Sequence, residues 1–175
     1  MRRWLVVAAL LALGACGGSD DTTGGTAVPA TDVVREGCGV VVEEALDPQT
    51  GRHLLPGAAE PTYPSDPPTS GPHPSGGAPP TGIVAAPIPR PLQVQLLEKG
   101  GAVIQYRDLG QADVARLRTL AAPTVAVAPG PPDLPAPIVA TAWVHKQLCE
   151  AVDTDALAAF VRNQAKQPEG APPHP

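Results

Sequence analysis

At 175 residues the chain has room for one compact domain beside a leader and tails. Its 24 prolines and 18 glycines against 3% aromatic residues demand much turn and extended backbone, so the core must be assembled from Val, Leu, Ile and Ala. Twelve basic and seventeen acidic side chains give a net charge of −5, which, with no basic stripe interleaved with aromatics, excludes nucleic acid as a partner.

The first residues read as an export signal. Arg2 and Arg3 form a positive start, Trp4 to Leu13 an unbroken apolar run, and Leu13-Gly14-Ala15 places small residues before Cys16. An apolar run of about ten residues is far short of the roughly twenty needed to span a bilayer. The spacing predicts a lipoprotein signal peptide over residues 1–15, cleaved before Cys16, whose thiol takes the lipid anchor (diacylglycerol, with palmitate chains). The protein is then expected at the extracytoplasmic face of a cell membrane, with the membrane as its first partner. Residues 16–32, rich in Gly, Ser, Thr and Asp, cannot bury enough surface to fold and read as a flexible tether. With Arg2 and Arg3 removed, ten basic residues remain against seventeen acidic ones, a net charge of −7.

A folded domain is expected over residues 33–166. Gly39 to Val42 is a β-branched run suited to a strand that starts the fold. Cys38 and Cys149 remain once the anchor is set aside, an even pair in a compartment that permits disulfides; the readings are a bridge or two buried thiols. A bridge would close a loop of about 110 residues, worth on the order of 4–5 kcal/mol in the chain-entropy model. Pro56 to Pro91 holds twelve of the 24 prolines, so neither a helix nor a central strand is expected there, only a long loop.

Ala102 to Tyr106, AVIQY, is the clearest strand, preceded by Gly100-Gly101 where the backbone turns or is closely approached. Val114, Leu117, Leu120 and Ala121 recur at helical spacing over Gln111 to Ala121, ending before Pro123. Thr124 to Ala128 and Ile138 to Val144 read as strands. The last helix has Asp153 as N-cap, Val152 placed to staple against Leu157, and a buried face of Leu157, Phe160 and Val161. Residues 167–175 read as a disordered Pro-rich tail. The expected architecture is a small single α/β or α+β domain with three to four short strands, two helices and a long Pro-rich loop.

The segment YPSDPPTSGPH at Tyr63 to His73, with Pro67, Pro68, Ser70, Gly71 and Pro72 inside it, resembles the exported bacterial family known as domain of unknown function 3105. His53 lies upstream as the family's histidine does, LLEKGGAVIQY at Leu96 to Tyr106 is similar to its LEHGxVVIxY run, and TAW at Thr141 to Trp143 matches its late AW segment. The likeness spans about Cys38 to Gln164. It implies a fold neighbourhood and, through an H-x-x-E-H run with two upstream histidines, a metal constellation suited to zinc or copper. This chain departs from that run: Gln95 and Lys99 stand where the pattern has histidines. Of the implied ligands, His53, His73 and Glu98 remain.

Two functions follow as expectations. The first is a non-catalytic binding or scaffold module of the cell envelope, whose Pro-rich face from Tyr63 to Pro91 meets an envelope protein or the cell wall. The alternative is a residual transition-metal-binding protein using His53 and His73, with Glu98 as third ligand. Bland readings stand beside these: His73 between two prolines as the cap of a rigid turn, His53 as a solvated loop residue, Glu98 and Lys99 as neighbouring charges at a strand entrance. Ser70 near His73 carries no hydrolase signature, because there is no G-x-S-x-G elbow and no acid partner. No residue is assigned a catalytic role.

Overall fold

The computed structural model describes residues 37–168. The expected signal peptide, Cys16, the tether and most of the expected tail lie outside the described residues. No described helix is long and apolar enough to cross a membrane.

In chain order the elements are β1 (Val42–Glu43), β2 (His53–Leu54), β3 (His73–Pro74), β4 (Gly82–Ile83), α1 (Arg90–Glu98), β5 (Ala102–Tyr106), α2 (Gln111–Arg118), β6 (Val125–Pro129), β7 (Ile138–Ala142), β8 (His145–Cys149) and α3 (Thr154–Gln164). Six strands form one sheet in the order β1-β8-β7-β5-β6-β4, and β2 pairs with β3 in a separate two-stranded ladder. The large sheet is mixed: β4, β6 and β5 run parallel, while β5-β7, β7-β8 and β8-β1 are antiparallel.

Side chains alternate across each strand, so one sheet sorts its residues into two cores. Ile104, Val125, Val127, Ile138 and Ala140 face Leu117 of α2 and Leu157 and Phe160 of α3. On the opposite face Val103, Ala126 and Ala128 pack against Leu96 and Leu97 of α1. Burial on both faces is why these strands read as nearly continuous apolar runs. Phe160 is the only phenylalanine and is fully enclosed; truncation to Ala would cost about 3–5 kcal/mol.

The Asp153 cap forms as expected, its carboxylate accepting the Ala156 N–H at 2.9 Å. β5 matches its predicted bounds, and Gly100 takes φ 78 beneath the closely approaching backbone of Gln167. Cys38 and Cys149 are joined by a disulfide across 111 residues, tying the chain before β1 to the end of β8.

The α+β class holds, but the expected counts of three to four strands and two helices rise to eight and three among the described residues. The span Ile138 to Val144 is not one strand: it breaks after Ala142, and a turn at Trp143-Val144 returns as β8. Val144 there has φ 52, unusual for a β-branched residue. Its backbone is fastened on both sides, N–H to Thr69 O and carbonyl to Glu44 N. The expected helix over Gln111 to Ala121 stops at Arg118, and Leu120 and Ala121 follow in tighter turns with bonds three residues back. The Pro-rich stretch is ordered by two short strands, and its last two residues, Arg90 and Pro91, open α1. Glu98 therefore ends a helix rather than entering a strand.

Candidate functional site

The ladder of β2 and β3 sets His53 directly opposite His73, and Leu54 opposite Pro74. Parallel neighbours in register carry their side chains to the same face, so the two imidazoles lie together, ring centroids 5.3 Å apart in an edge-to-face arrangement. Helix α1 packs over β3 and brings Glu98 to the pair. One ligand atom each from His53, His73 and Glu98 falls within a 4.8 Å span. His73 and Glu98 are buried, whereas His53 is exposed, which leaves the group open to solvent from one side.

The His73 ring is fixed by its other nitrogen. Nδ1 lies 2.9 Å from Gly71 O, and a carbonyl can only accept, so Nδ1 carries a proton and Nε2 points into the cluster. Nε2 is 2.6 Å from Glu98 Oε2, so the two ligand atoms face one centre. A ring donating through one nitrogen to a carbonyl while offering the other to a common centre is the usual state of a metal-ligating histidine.

The motif residues build this turn rather than line a surface. Pro67 to His73 are buried. Tyr63 donates its hydroxyl to Pro72 O at 2.7 Å. Burial, with the carboxylates of Glu60 and Asp47 nearby and Arg90 opposing them, pushes the Tyr63 hydroxyl well above its ordinary value, so it stays a donor. Ser70 Oγ accepts the Asp47 N–H at 2.9 Å, and among the described residues no imidazole hydrogen-bonds to it. Gly71 adopts φ 127, a conformation that favours glycine.

Gln95 and Lys99 share the face of α1 that carries Glu98, at positions i, i+3 and i+4. They clamp the turn after β3: Gln95 Nε2 donates to Gly76 O at 2.8 Å and Lys99 Nζ to Gly77 O at 3.1 Å. The departures from the histidine pattern thus have a structural occupation. An open cleft of about 450 Å³ adjoins the ladder, with Leu54, Leu55, Pro56, Pro74 and Pro91 in its walls.

A second polar group, not anticipated in the sequence, locks the motif loop to the large sheet. Glu44 accepts hydrogen bonds from Ser65 (2.6 Å) and Thr69 (2.8 Å) and pairs with Lys146 of β8 (2.7 Å). Burial alone would raise the Glu44 carboxyl, but the hydrogen bonds from Lys146, Ser65 and Thr69 and the ammonium charge outweigh it and hold the group below its usual range. Its sequence signal was weak: a Glu beyond a valine run and a Lys 102 residues on.

The fold and site define a small α+β domain with a histidine–histidine–carboxylate centre formed by a short parallel ladder and one helix. The family model described as a protein of unknown function, DUF3105, matches residues 57–175, and the chain belongs to that family. The match takes in His73 and Glu98; His53 lies four residues before it. No curated protein and no solved structure matches the chain.

Proposed function

We propose that this chain is an exported lipoprotein, anchored to the extracytoplasmic face of a membrane through Cys16, whose folded domain is a non-catalytic binding module for one zinc or copper ion. The observation that carries the metal reading is the register of β2 and β3, which sets His53 beside His73 with Glu98 within 4.8 Å. Two imidazoles and a carboxylate suit these ions, and three protein ligands leave a position open for an outside group. With Glu98 in the ligand set, its carboxylate is engaged rather than poised as a base. The signal-like start of the sequence supports export, and so does the disulfide, since such bonds persist in oxidising compartments.

A second reading, docking to an envelope protein or the cell wall, rests on the outer part of the Pro-rich segment. Ser75 to Ala78 and Ala85 to Pro87 are exposed, whereas Pro67 to His73 are interior.

Elemental analysis of the protein purified without a histidine tag, beside a His53→Ala/His73→Ala variant, tests the metal reading. Near-stoichiometric zinc or copper in the wild type and its loss in the variant is the expected result; equal metal in both would remove this site. Intact mass of the membrane-extracted protein tests the anchor. A lipid adduct on a chain beginning at Cys16, gone in Cys16→Ser, is expected, and an unmodified Cys16 would overturn it.

A further inference from the structure

At the opposite end of α1 from Glu98, where the motif loop meets the start of the helix and β5, the protein holds a separate cavity of about 310 Å³. We propose that this cavity binds an organic cation, a primary ammonium or guanidinium group on an aliphatic stem. It shares no residue with the histidine centre, and the proposal does not depend on that centre.

The lining is rich in acceptors and poor in donors. Four of its residues, Pro67, Pro87, Pro89 and Pro131, bring no N–H; Pro89 O is filled by the N–H groups of Leu92 and Gln93, and Pro67 O and Pro131 O already accept one bond each, from Ser65 and Leu134, which leaves the carboxylates as the main open acceptors. Glu60, Asp66 and Asp133 add three carboxylates against the single guanidinium of Arg90, a surplus of two negative charges. Arg90 is already engaged, 3.1 Å from Glu60 and 3.5 Å from Asp66. Asp133 is exposed at the rim and has no ion-pair partner among the described residues.

A helix start would ordinarily favour an anion, through its free N–H groups and dipole. Here that contribution is nearly spent. Pro91 has no N–H, and the N–H groups of Leu92 and Gln93 both turn back to Pro89 O, at 2.9 and 3.1 Å.

The cavity includes a buried amide pair, independent of the rim charges. Gln93 and Gln105, 3% and 1% exposed, face each other from α1 and β5. Gln105 donates to Gln93 Oε1 at 3.1 Å, and Gln93 donates to Ile88 O at 2.7 Å and to Gln105 Oε1 at 3.4 Å. Both donors of Gln93 are therefore used, while each amide oxygen keeps a lone pair and Gln105 one N–H. Ile88 and the proline rings supply apolar walls for a stem. The volume lies at the small end of ligand pockets, the scale of one basic side chain or a short diamine.

The test titrates the full chain in detergent micelles with cadaverine, agmatine and the end-blocked tripeptide Gly-Lys-Gly, with glutarate as the anionic counterpart, following the side-chain amide signals of Gln93 and Gln105. Saturable binding of the cations that moves these signals is expected, with binding at least threefold weaker in Asp133→Asn at an unchanged melting temperature. Tighter binding of the tripeptide than of cadaverine would assign the ligand as a basic side chain, and the reverse as a free amine. Failure of all three cations to bind, glutarate binding in their place, or affinities indifferent to both Asp133→Asn and Glu60→Gln would overturn the proposal.

Discussion

Gly71 sits where the turn before the buried histidine has no room for a side chain. A β-carbon there would lie 2.7 Å from Asp47 Oδ2 and 2.9 Å from the Tyr63 ring, on backbone already at φ 127. Both neighbours are interior, so neither can move aside without loss, and Gly71→Ala is expected to destabilise the domain by about 3 kcal/mol or more in a denaturant melt. An unchanged midpoint would contradict the close packing of this turn. At the same scale, Glu44 makes stability depend on pH. Its carboxyl is held below the ordinary value of 4.5 when folded, so the unfolded chain takes up its proton first on acidification. The stabilisation is full above the unfolded value and is lost as pH falls through the folded one. The melting-temperature gap between wild type and Glu44→Gln should be widest above pH 4.5 and shrink as the pH falls below it. A gap constant with pH would mean that the ionised carboxylate is not what the network uses. Truncating its partner, Lys146→Met, leaves the half-buried carboxylate with only the Ser65 and Thr69 hydroxyls and should cost about 1–2 kcal/mol.

Among the elements, those with an intact local pattern were legible in the sequence. AVIQY alternates into two apolar cores and became β5, and Asp153 before an amphipathic run became the cap of α3. Helix α1 was not, for two physical reasons. Prolines 87, 89 and 91 suggest a breaker, although a proline in the first turn removes only an N–H that has no partner there. Its inner face also buries Gln93, Gln95 and Glu98, which erases the apolar period that marks a helix. The β7-β8 hairpin was hidden because Trp143-Val144 contains none of the residues that usually announce a two-residue turn. The pairing of β2 with β3 is a tertiary outcome of two-residue strands twenty residues apart, so the sequence offered His53 and His73 as candidates but not their register. Gln95 and Lys99 read as losses from a ligand pattern; as side chains they hold the turn at Gly76 and Gly77 beside the centre.

Over the whole molecule, one covalent bond joins the chain near the start of the described residues to the last strand of the sheet. The Cys38–Cys149 bridge closes 111 residues in a domain with few large rings, and its removal in Cys38→Ser/Cys149→Ser should lower stability by about 4 kcal/mol. The same loss should follow reduction of the wild type, and a reduced protein as stable as the oxidised one would contradict this. Helix α1 and the motif loop hold the short ladder that carries the histidines, so metal binding depends on the assembled domain. It is tested most directly by calorimetric titration of zinc and of copper into the full chain in detergent, beside His73→Ala and Glu98→Gln. One ion per chain is expected, with affinity weakened by roughly tenfold or more in each variant. No binding, or binding that neither substitution alters, would contradict it.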